Sequence, residues 1–544
     1  ARYWFRDWKV SGSKLQTHAD HAWGPILWTM HTLHHSKQGH VLKLTAQMPP
    51  LGETESAFIS LQYQENGQWT NSLSTEINPL SRTATWRIAN WNANKNHRYR
   101  VVYGKDEYTG VIRKDPSEKE SIVVAAFTGN QDTGFPNLEI TKNVGIQDPD
   151  VLFFSGDQIY EGVGGYGIIR DGVERPVLNY LRKWYLLGWS FGDLMRDRVT
   201  ICLPDDHDVY QGNIWGEGGA AMQGGNTSTD GGYIQHPDFI NAVHRTQTSH
   251  HPDIPDPKPI LQNITPFHGH MVYGRVSFAL IADRMFKTGP QAVATWEGRA
   301  DHLKDPAYDV TQLDKPELEL LGRRQEKFLE DWVQDWRGAD FKSLLSQTIF
   351  VNLANYHGAK QEFIYADLDS NGWPQTPRNR ALSILRKGYA FHYAGDQHLP
   401  SVTRNGVDTW NDAGYAFCVP SIAAGYPRSW RPDQEGRSFQ NQVIGENTGE
   451  YRDAFGNLMT VWAIGNPEKE YRSGRINTLH DKSSGYGIVR FNKNNQTIDM
   501  ECYRLQIDAK RLKPGDQFPG WPLRIHLTDN DGRKPIGFLT EFEV

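Results

Sequence analysis

The segment "VLFFSGDQIY", residues 151–160, runs from four large apolar residues through Ser155 and Gly156 to a carboxylate, Asp157. Its first half has the length and composition of a buried strand. A strand that ends on an acid, with Tyr160 three residues on, has two readings. Gly-Asp is ordinary turn chemistry, and an aspartate at a strand end often caps the next element. Alternatively, the carboxylate is aimed at a ligand. The choice depends on whether other strands in the chain end the same way.

Others do. "VVAAFTG" is followed by Asn130-Gln131-Asp132, and "VTICLP" by Asp205-Asp206-His207-Asp208. "TIFVNLA" leads to Asn355 and His357, and "FHYAG" to Asp396 and His398. Each piece alone also reads as a cap, a turn or a hydrogen-bonded histidine. Together they place nitrogen and oxygen donors after five apolar runs. In an α/β sheet the carboxyl ends of the strands form the ligand-binding edge, so parallel neighbours would bring these donors together. Carboxylates packed that closely repel unless they are protonated or bound to cations. Asp, His, Asn and Tyr donors suit hard or borderline metals. A two-metal site spaces its ions by about 3.5–4 Å and needs a bridging ligand, for which Asp157 is the candidate because its strand is expected to be central.

The surrounding pattern fits this picture. A chain of 544 residues exceeds one compact core, so roughly two to four domains are expected. Residues 1–116 hold short β-branched and aromatic runs separated by turn clusters, the pattern of an N-terminal β-sandwich domain. "RKDPSEKES" reads as a linker. Over 117–505 apolar strands alternate with helical stretches, an α/β arrangement. "PVLNYLRKWYLLGWSFGDLMRD" places Val177, Leu181, Trp184 and Tyr185 on one helical face. "KPELELLGRRQEKFLEDWVQDW" (315–336) predicts a helix with Pro316 near its start and Leu321, Phe328, Trp332 and Trp336 aligned. "SQTIFVNLA" predicts a strand. Residues 506–544 read as a β-rich C-terminal extension, with a hairpin turning at Asp531-Gly532. A further hairpin is expected around Asn494-Asn495.

Composition excludes several classes. The net charge is −6 with no basic run, so there is no nucleic-acid-binding signature. No apolar stretch approaches the ~20 residues of a membrane helix. Cys202, Cys418 and Cys502 offer neither a disulfide framework nor zinc spacing, and read as small core residues. The chain starts at Ala1 without a signal peptide, which suits a mature secreted or periplasmic protein; a cytoplasmic one is also compatible.

"GDQIY", "LPDDHDVY" and "AGDQH", with the helix "LLGRRQEKFLEDWVQDW" leading into "LLSQTIFVNLANYHG", resemble the signature blocks of the PhoD-like (alkaline phosphatase D) metallophosphoesterases. The resemblance spans about 121–505. It implies a layered β-sandwich catalytic domain flanked by helices, with the N-terminal sandwich appended. It implies metal-dependent hydrolysis of phosphomonoesters or phosphodiesters by metal-activated hydroxide. By this resemblance Asp157 is the bridging ligand and Tyr160 an iron-ligating tyrosine. Asp206 stands where the superfamily has a metal-binding Asn, and His207 where it has its catalytic histidine. Asp396 and His398 form the last metal block, with His357 or Asn355 a looser match before it.

One position departs from the family. Where it carries Ser-Cys-Gln with an iron-ligating cysteine, this chain has Gly129-Asn130-Gln131. Asn130 and Asp132 keep the spacing of the Asp-x-His pair of ordinary metallophosphoesterases. The cofactor expectation is therefore two or more metal ions, either divalent (Ca, Mg, Mn or Zn) or Fe with Ca. In the mechanism expected, His207 protonates the leaving oxygen or orients the ester, itself oriented by Asp205 or Asp208. Asn213 stabilises developing charge, and Arg245, His250 and His251 contact substrate. The substrate would be a small-molecule or polymer-linked phosphate ester; oligomeric state is open. Two alternatives remain at this point: a sulfate-ester or polymer-linked phosphate hydrolase on the same scaffold, and a carbohydrate- or surface-binding protein whose metal is structural.

Overall fold

The computed structural model describes residues 9–14, 24–164, 166–423, 425–437, 445–467 and 483–532. Two large sheets form its centre. At the middle of the first, Ser121–Phe127, Val151–Phe154 and Val199–Cys202 run parallel, with Phe127, Phe154 and Cys202 level with one another. At the middle of the second, Val276–Leu280, Phe341–Leu345, Phe391–Ala394 and Tyr415–Cys418 run parallel. They are mostly apolar and, apart from half-buried Ser121, buried throughout, because both faces are covered. Between the sheets lie Phe153 and Tyr393, 5.9 Å apart, and Phe391 and Phe491, 6.1 Å apart.

Helices cover the outer faces. Leu138–Gln147, Glu174–Met195 and Pro237–Thr248 bury their apolar faces on the first sheet, where Phe191 packs on Phe127 and Phe154. Gly322–Trp332 and Gln375–Leu385 cover the second. The result is the mixed α/β layering expected, two packed sheets flanked by helices. Parallel pairing requires crossovers, which these helices supply. Val177, Leu181 and Trp184 are buried as their spacing predicts. The hairpin of Gly485–Asn492 with Thr497–Arg504 closes where expected, pairing Asn492 with Thr497.

Two local expectations are corrected. The helix predicted from Lys315 begins at Gly322, whose φ of +73° breaks the run. Just before it, Glu319 exchanges backbone and hydroxyl hydrogen bonds with Thr288. "SQTIFVNLA" is not a strand; the strand is Phe341–Leu345, directly before it. Ile349, Phe350, Val351 and Leu353 are buried in a loop, so core filling mimics a strand pattern. The chain then enters a small three-stranded sheet of Tyr356–His357, Glu362–Phe363 and Arg428–Ser429.

The units expected at the ends are continuous with the centre. Phe58–Glu65, Leu73–Glu76, His97–Tyr103 and Asp106–Ile112 belong to a sheet of their own. Trp28–Ser36, Gly39–Gln47 and Thr83–Ile88 share an apolar cluster with it but extend the central nine-stranded sheet, through a parallel pairing of His31 with Val199. Position 116 is thus no break in packing. Likewise Leu523–His526 is the edge strand of the same sheet, paired with Thr497–Met500. The return strand of the hairpin expected after Gly532 lies outside the described residues.

Trp184 fastens the N-terminal strands to the central layers. It is fully buried, its ring centroid is 5.7 Å from that of Trp28, and its Nε1–H donates to Gln47 Oε1 at 3.0 Å. Trp184→Ala is expected to cost about 3–5 kcal/mol, measured by urea unfolding. An unchanged midpoint would show that this junction does not hold the layers together.

Candidate metal centre

The carboxyl ends of the parallel strands from both sheets meet in one cavity of about 390 Å³. Its lining includes Asp157, Tyr160, Asp206, His207, Asn213, Asp396 and His398. Two Gly-Asp-Gln turns build it, one from each sheet. Asp157 has φ +58° and Asp396 φ +61°, left-handed conformations that cluster at functional sites. Gly156 is required before the first: a Cβ there would lie 2.7 Å from Asp205 Cβ.

Asp157 is 2% exposed. Its Oδ2 accepts the Tyr160 hydroxyl at 2.8 Å, and its Oδ1 has no partner. The Tyr160 oxygen is also 3.1 Å from His398 Nε2, which lies 3.9 Å from Asp157 Oδ2. His398 Nδ1 is 2.8 Å from the Tyr426 carbonyl, to which it donates, so in the neutral ring Nε2 carries a lone pair. One phenolic proton cannot satisfy both the carboxylate and that lone pair. Asp157, Asp206 and His207 bring one ligand atom each within 4.8 Å of one another. Orphaned oxygens, a free imidazole lone pair and a phenol fit a hard or borderline cation. Asp157, Asp206 and His398 would hold it, with Tyr160 and Asp396 alongside.

The electrostatics point the same way. Burial and the charges of Asp157 and Asp396 push Asp206 well above the usual carboxylate range. Asp205 is also raised, by burial and by Asp206, Asp396 and Asp157, against the opposing pull of Arg284. Burial would raise Asp157 too, but the neighbouring His207 and His398 rings outweigh it and hold Asp157 low. Burial disfavours His207 as a cation, yet Asp157, Glu161 and Asp206 raise it well above the ordinary imidazole value. Its ring lies 4.2 Å from that of Tyr160, and its Nδ1 is 2.6 Å from Glu161 Oε2.

Several sequence expectations are corrected. Neither Asp205 nor Asp208 orients His207; Glu161 does. Asp208 is a clamp: it accepts the backbone N–H groups of Asp157, Gln158 and Asp205 and the Gln247 amide. Asp205 lies beside Arg284, 3.8 Å away. Asn130 turns its amide to Gln158 and Asn137 and, with Asp132, lines a small recess beside Tyr160, not the main cavity. His357 lines a neighbouring cavity, displaced because the apolar run before it is a loop. Asn355 is consumed by Arg431. Arg245, His250 and His251 do not line the cavity. His250 is buried against Thr200 O, and His251 Nε2 accepts from Cys202 N, so both are core residues supporting the strand Val199–Cys202. Asn213 does line the cavity, with its amide hydrogens committed to Ser228 and Asp301. The cysteines are buried and free.

Functional residues missed in the sequence include Glu161, Arg284, Arg299, Asp369 and Arg428. Glu161 directly follows Tyr160, and Arg284 follows the strand Val276–Leu280, so the same strand-end signal would have found Arg284. It is buried, with ion pairs to Asp369 and Asp396. Asp369 stands in irregular chain and Arg428 in a two-residue strand, where no periodicity marks them.

No family model and no curated protein matches the chain. Among solved structures the chain is similar to that of PhoD, with a TM-score of 0.59 over 92% of this chain and 89% of that chain, at 14% identity. The fold is PhoD-like. A family 64 laminaripentaose-producing β-1,3-glucanase from Paenibacillus barengoltzii (TM-score 0.11, 14% identity, 18% of this chain and 27% of that) carries no argument. The same holds for Parabacteroides merdae β-glucuronidase (TM-score 0.20, 8% identity, 68% of this chain and 40% of that).

Asp208→Ala would strand three buried backbone N–H groups, each costing about 1–3 kcal/mol. It is expected to lower the urea midpoint by several kcal/mol of stability. Full stability with lost turnover would return Asp208 to a catalytic role.

Proposed function

We propose that the chain is a metal-dependent hydrolase of phosphate esters, acting on monoesters, diesters or both. The observation that carries this reading is the pairing of two unsatisfied sets in one cavity. On one side stands Asp157, whose buried Oδ1 has no partner, with Asp206 and His398 beside it. On the other stands Arg428, which lines the same cavity and whose buried Nε–H and Nη1–H have no acceptor. A ligand that contacts both must be an anion held beside a cation, as a phosphate ester is.

When bound, the ions would activate water and absorb charge from the ester. The chain's own residues do the rest. Arg428 and Arg299 face the anion. His207, protonated in the field of Asp157, Glu161 and Asp206, holds a proton at the cavity wall, and Glu161 fixes its ring so that the proton is offered to the leaving oxygen. Lys183 holds the Glu161 carbonyl at 2.9 Å, which fastens that loop to the helix Glu174–Met195. An exported location, secreted or periplasmic, belongs to the proposal. Among the described residues no helix is long and apolar enough to cross a membrane.

An aryl phosphate series, its bis esters and sulfate analogues, assayed with and without chelator, tests the reading. Chelator-sensitive release from phosphate esters is expected; a metal-loaded protein silent on all of them would end it. His207→Ala should lower turnover by about 10²–10⁴-fold, least for esters with good leaving groups. Equal losses across the series would make His207 a positioning or ligand group. Arg428→Gln removes charge-assisted hydrogen bonds and should raise KM about 10–100-fold with metal content unchanged. An unaltered KM would remove Arg428 from substrate binding.

A further inference from the structure

Beside the cavity just described is a second one, of about 570 Å³, lined by His302, His357, Arg299, Lys304, Lys360 and Tyr426 among others. His302 and Arg299 line both. Two small sheets converge at its wall. In one, His302–Leu303 pairs with Ala366–Asp367, placing His302 directly opposite Asp367. In the other, Tyr356–His357 pairs with Arg428–Ser429, which brings His357 in from a different part of the chain. Three residues 10 to 65 positions apart in sequence are thereby brought together, His302 and Asp367 by direct backbone pairing and His357 from the second sheet.

Their donor atoms lie within 4.8 Å of one another. The imidazole centroids are 5.5 Å apart at 67°, and His357 Nε2 is 3.9 Å from Asp367 Oδ2. Asp367 is fixed by its other oxygen: Oδ1 accepts the Asp369 N–H at 3.0 Å. Its Oδ2 is buried and has no hydrogen-bond partner, and neither has His357 Nδ1. Asp367 is 1% exposed and His357 2%. Burying a carboxylate oxygen and an imidazole nitrogen without partners is costly. Among the described residues the ion-pair partner of Asp367 is His357 itself, not an arginine or lysine. Of the neighbouring charges, Arg299 pairs with Asp301 and Lys304 with Glu362, while Arg428 is shared among Asp367, Asp396 and Asp369 without forming an ion pair to Asp367.

We propose that His302, His357 and Asp367 form a second metal site for a borderline divalent cation of the zinc class, in the wall between the two cavities, where His302 lines both, His357 the second and Asp367 the first. Two imidazoles and one carboxylate are a zinc-type donor set, unlike the oxygen-rich centre at Asp157, and they favour such ions over calcium or magnesium. This inference does not rest on the hydrolase reading, because the donors, their burial and their orphaned atoms stand whatever the first centre does.

Equilibrium dialysis of the full chain against zinc, with metal counted per chain, tests it, together with X-ray absorption at the zinc edge to count imidazoles per ion. The wild type is expected to bind one more zinc than His357→Gln or His302→Gln, and to show zinc with two imidazole ligands that disappears in both variants. Affinity for that ion should fall by at least about 100-fold, above the range for losing an outer-shell partner. Asp367→Asn keeps the shape and should fall the same way, which decides the matter if a histidine variant does not fold by circular dichroism. Equal zinc counts and imidazole signatures in wild type and folded variants would overturn the site.

Discussion

The repulsion among buried carboxylates governs this molecule. Asp157, Asp205, Asp206, Asp369 and Asp396 are each no more than 4% exposed, and they converge where the strand ends of two sheets meet. Two like charges 4 Å apart repel by about 4 kcal/mol at an effective dielectric of 20. The fold offsets part of this with fixed cations. Arg284 is buried among Asp205, Asp369 and Asp396, and the carboxylates around His207 favour its protonated form. Still without a hydrogen-bond partner are Asp157 Oδ1, both oxygens of Asp205 and Asp369 Oδ2. A bound cation is the simplest group that removes the residual strain and gives the arrangement a purpose.

The architecture serves that convergence. Parallel strands in both sheets all point their carboxyl ends at one edge, and face-to-face packing brings the two edges within side-chain reach. The left-handed Asp157 and Asp396 turn their carboxylates over that edge. Asp208 holds the first turn by gathering its N–H groups, an expensive use of a buried acid that burial pushes up to about 7. The same strand pairings carry the N-terminal strands, so the layers and the centre form one connected structure.

Much of this was legible in the sequence because two signals are local. Apolar runs of four to seven residues mark the central strands, and the polar residue after each marks the edge; Asp157, Tyr160, Asp206, His207, Asp396 and His398 were all found that way. The failures have physical causes. "SQTIFVNLA" is as apolar as a strand because it fills the core, and the error moved His357 to the wrong centre. Asp208 and Asp205 share a motif with His207, but motif adjacency says nothing about which oxygen reaches Nδ1. The partner, Glu161, comes from a different strand end. Asp369 and Arg299 sit in irregular chain, and Asp367 and Arg428 in two-residue strands too short to show a period, so only tertiary pairing brings them together.

The central claim is that Asp157 ends its strand on a carboxylate in order to hold cations. Elemental analysis of purified wild type and Asp157→Asn, both shown folded, tests it most directly. Asparagine keeps the shape of the side chain and removes its charge. The account predicts bound metal in the wild type and the loss of at least one ion per chain in the variant. A folded Asp157→Asn protein with the full metal complement of the wild type would contradict it and return Gly156-Asp157 to an ordinary turn.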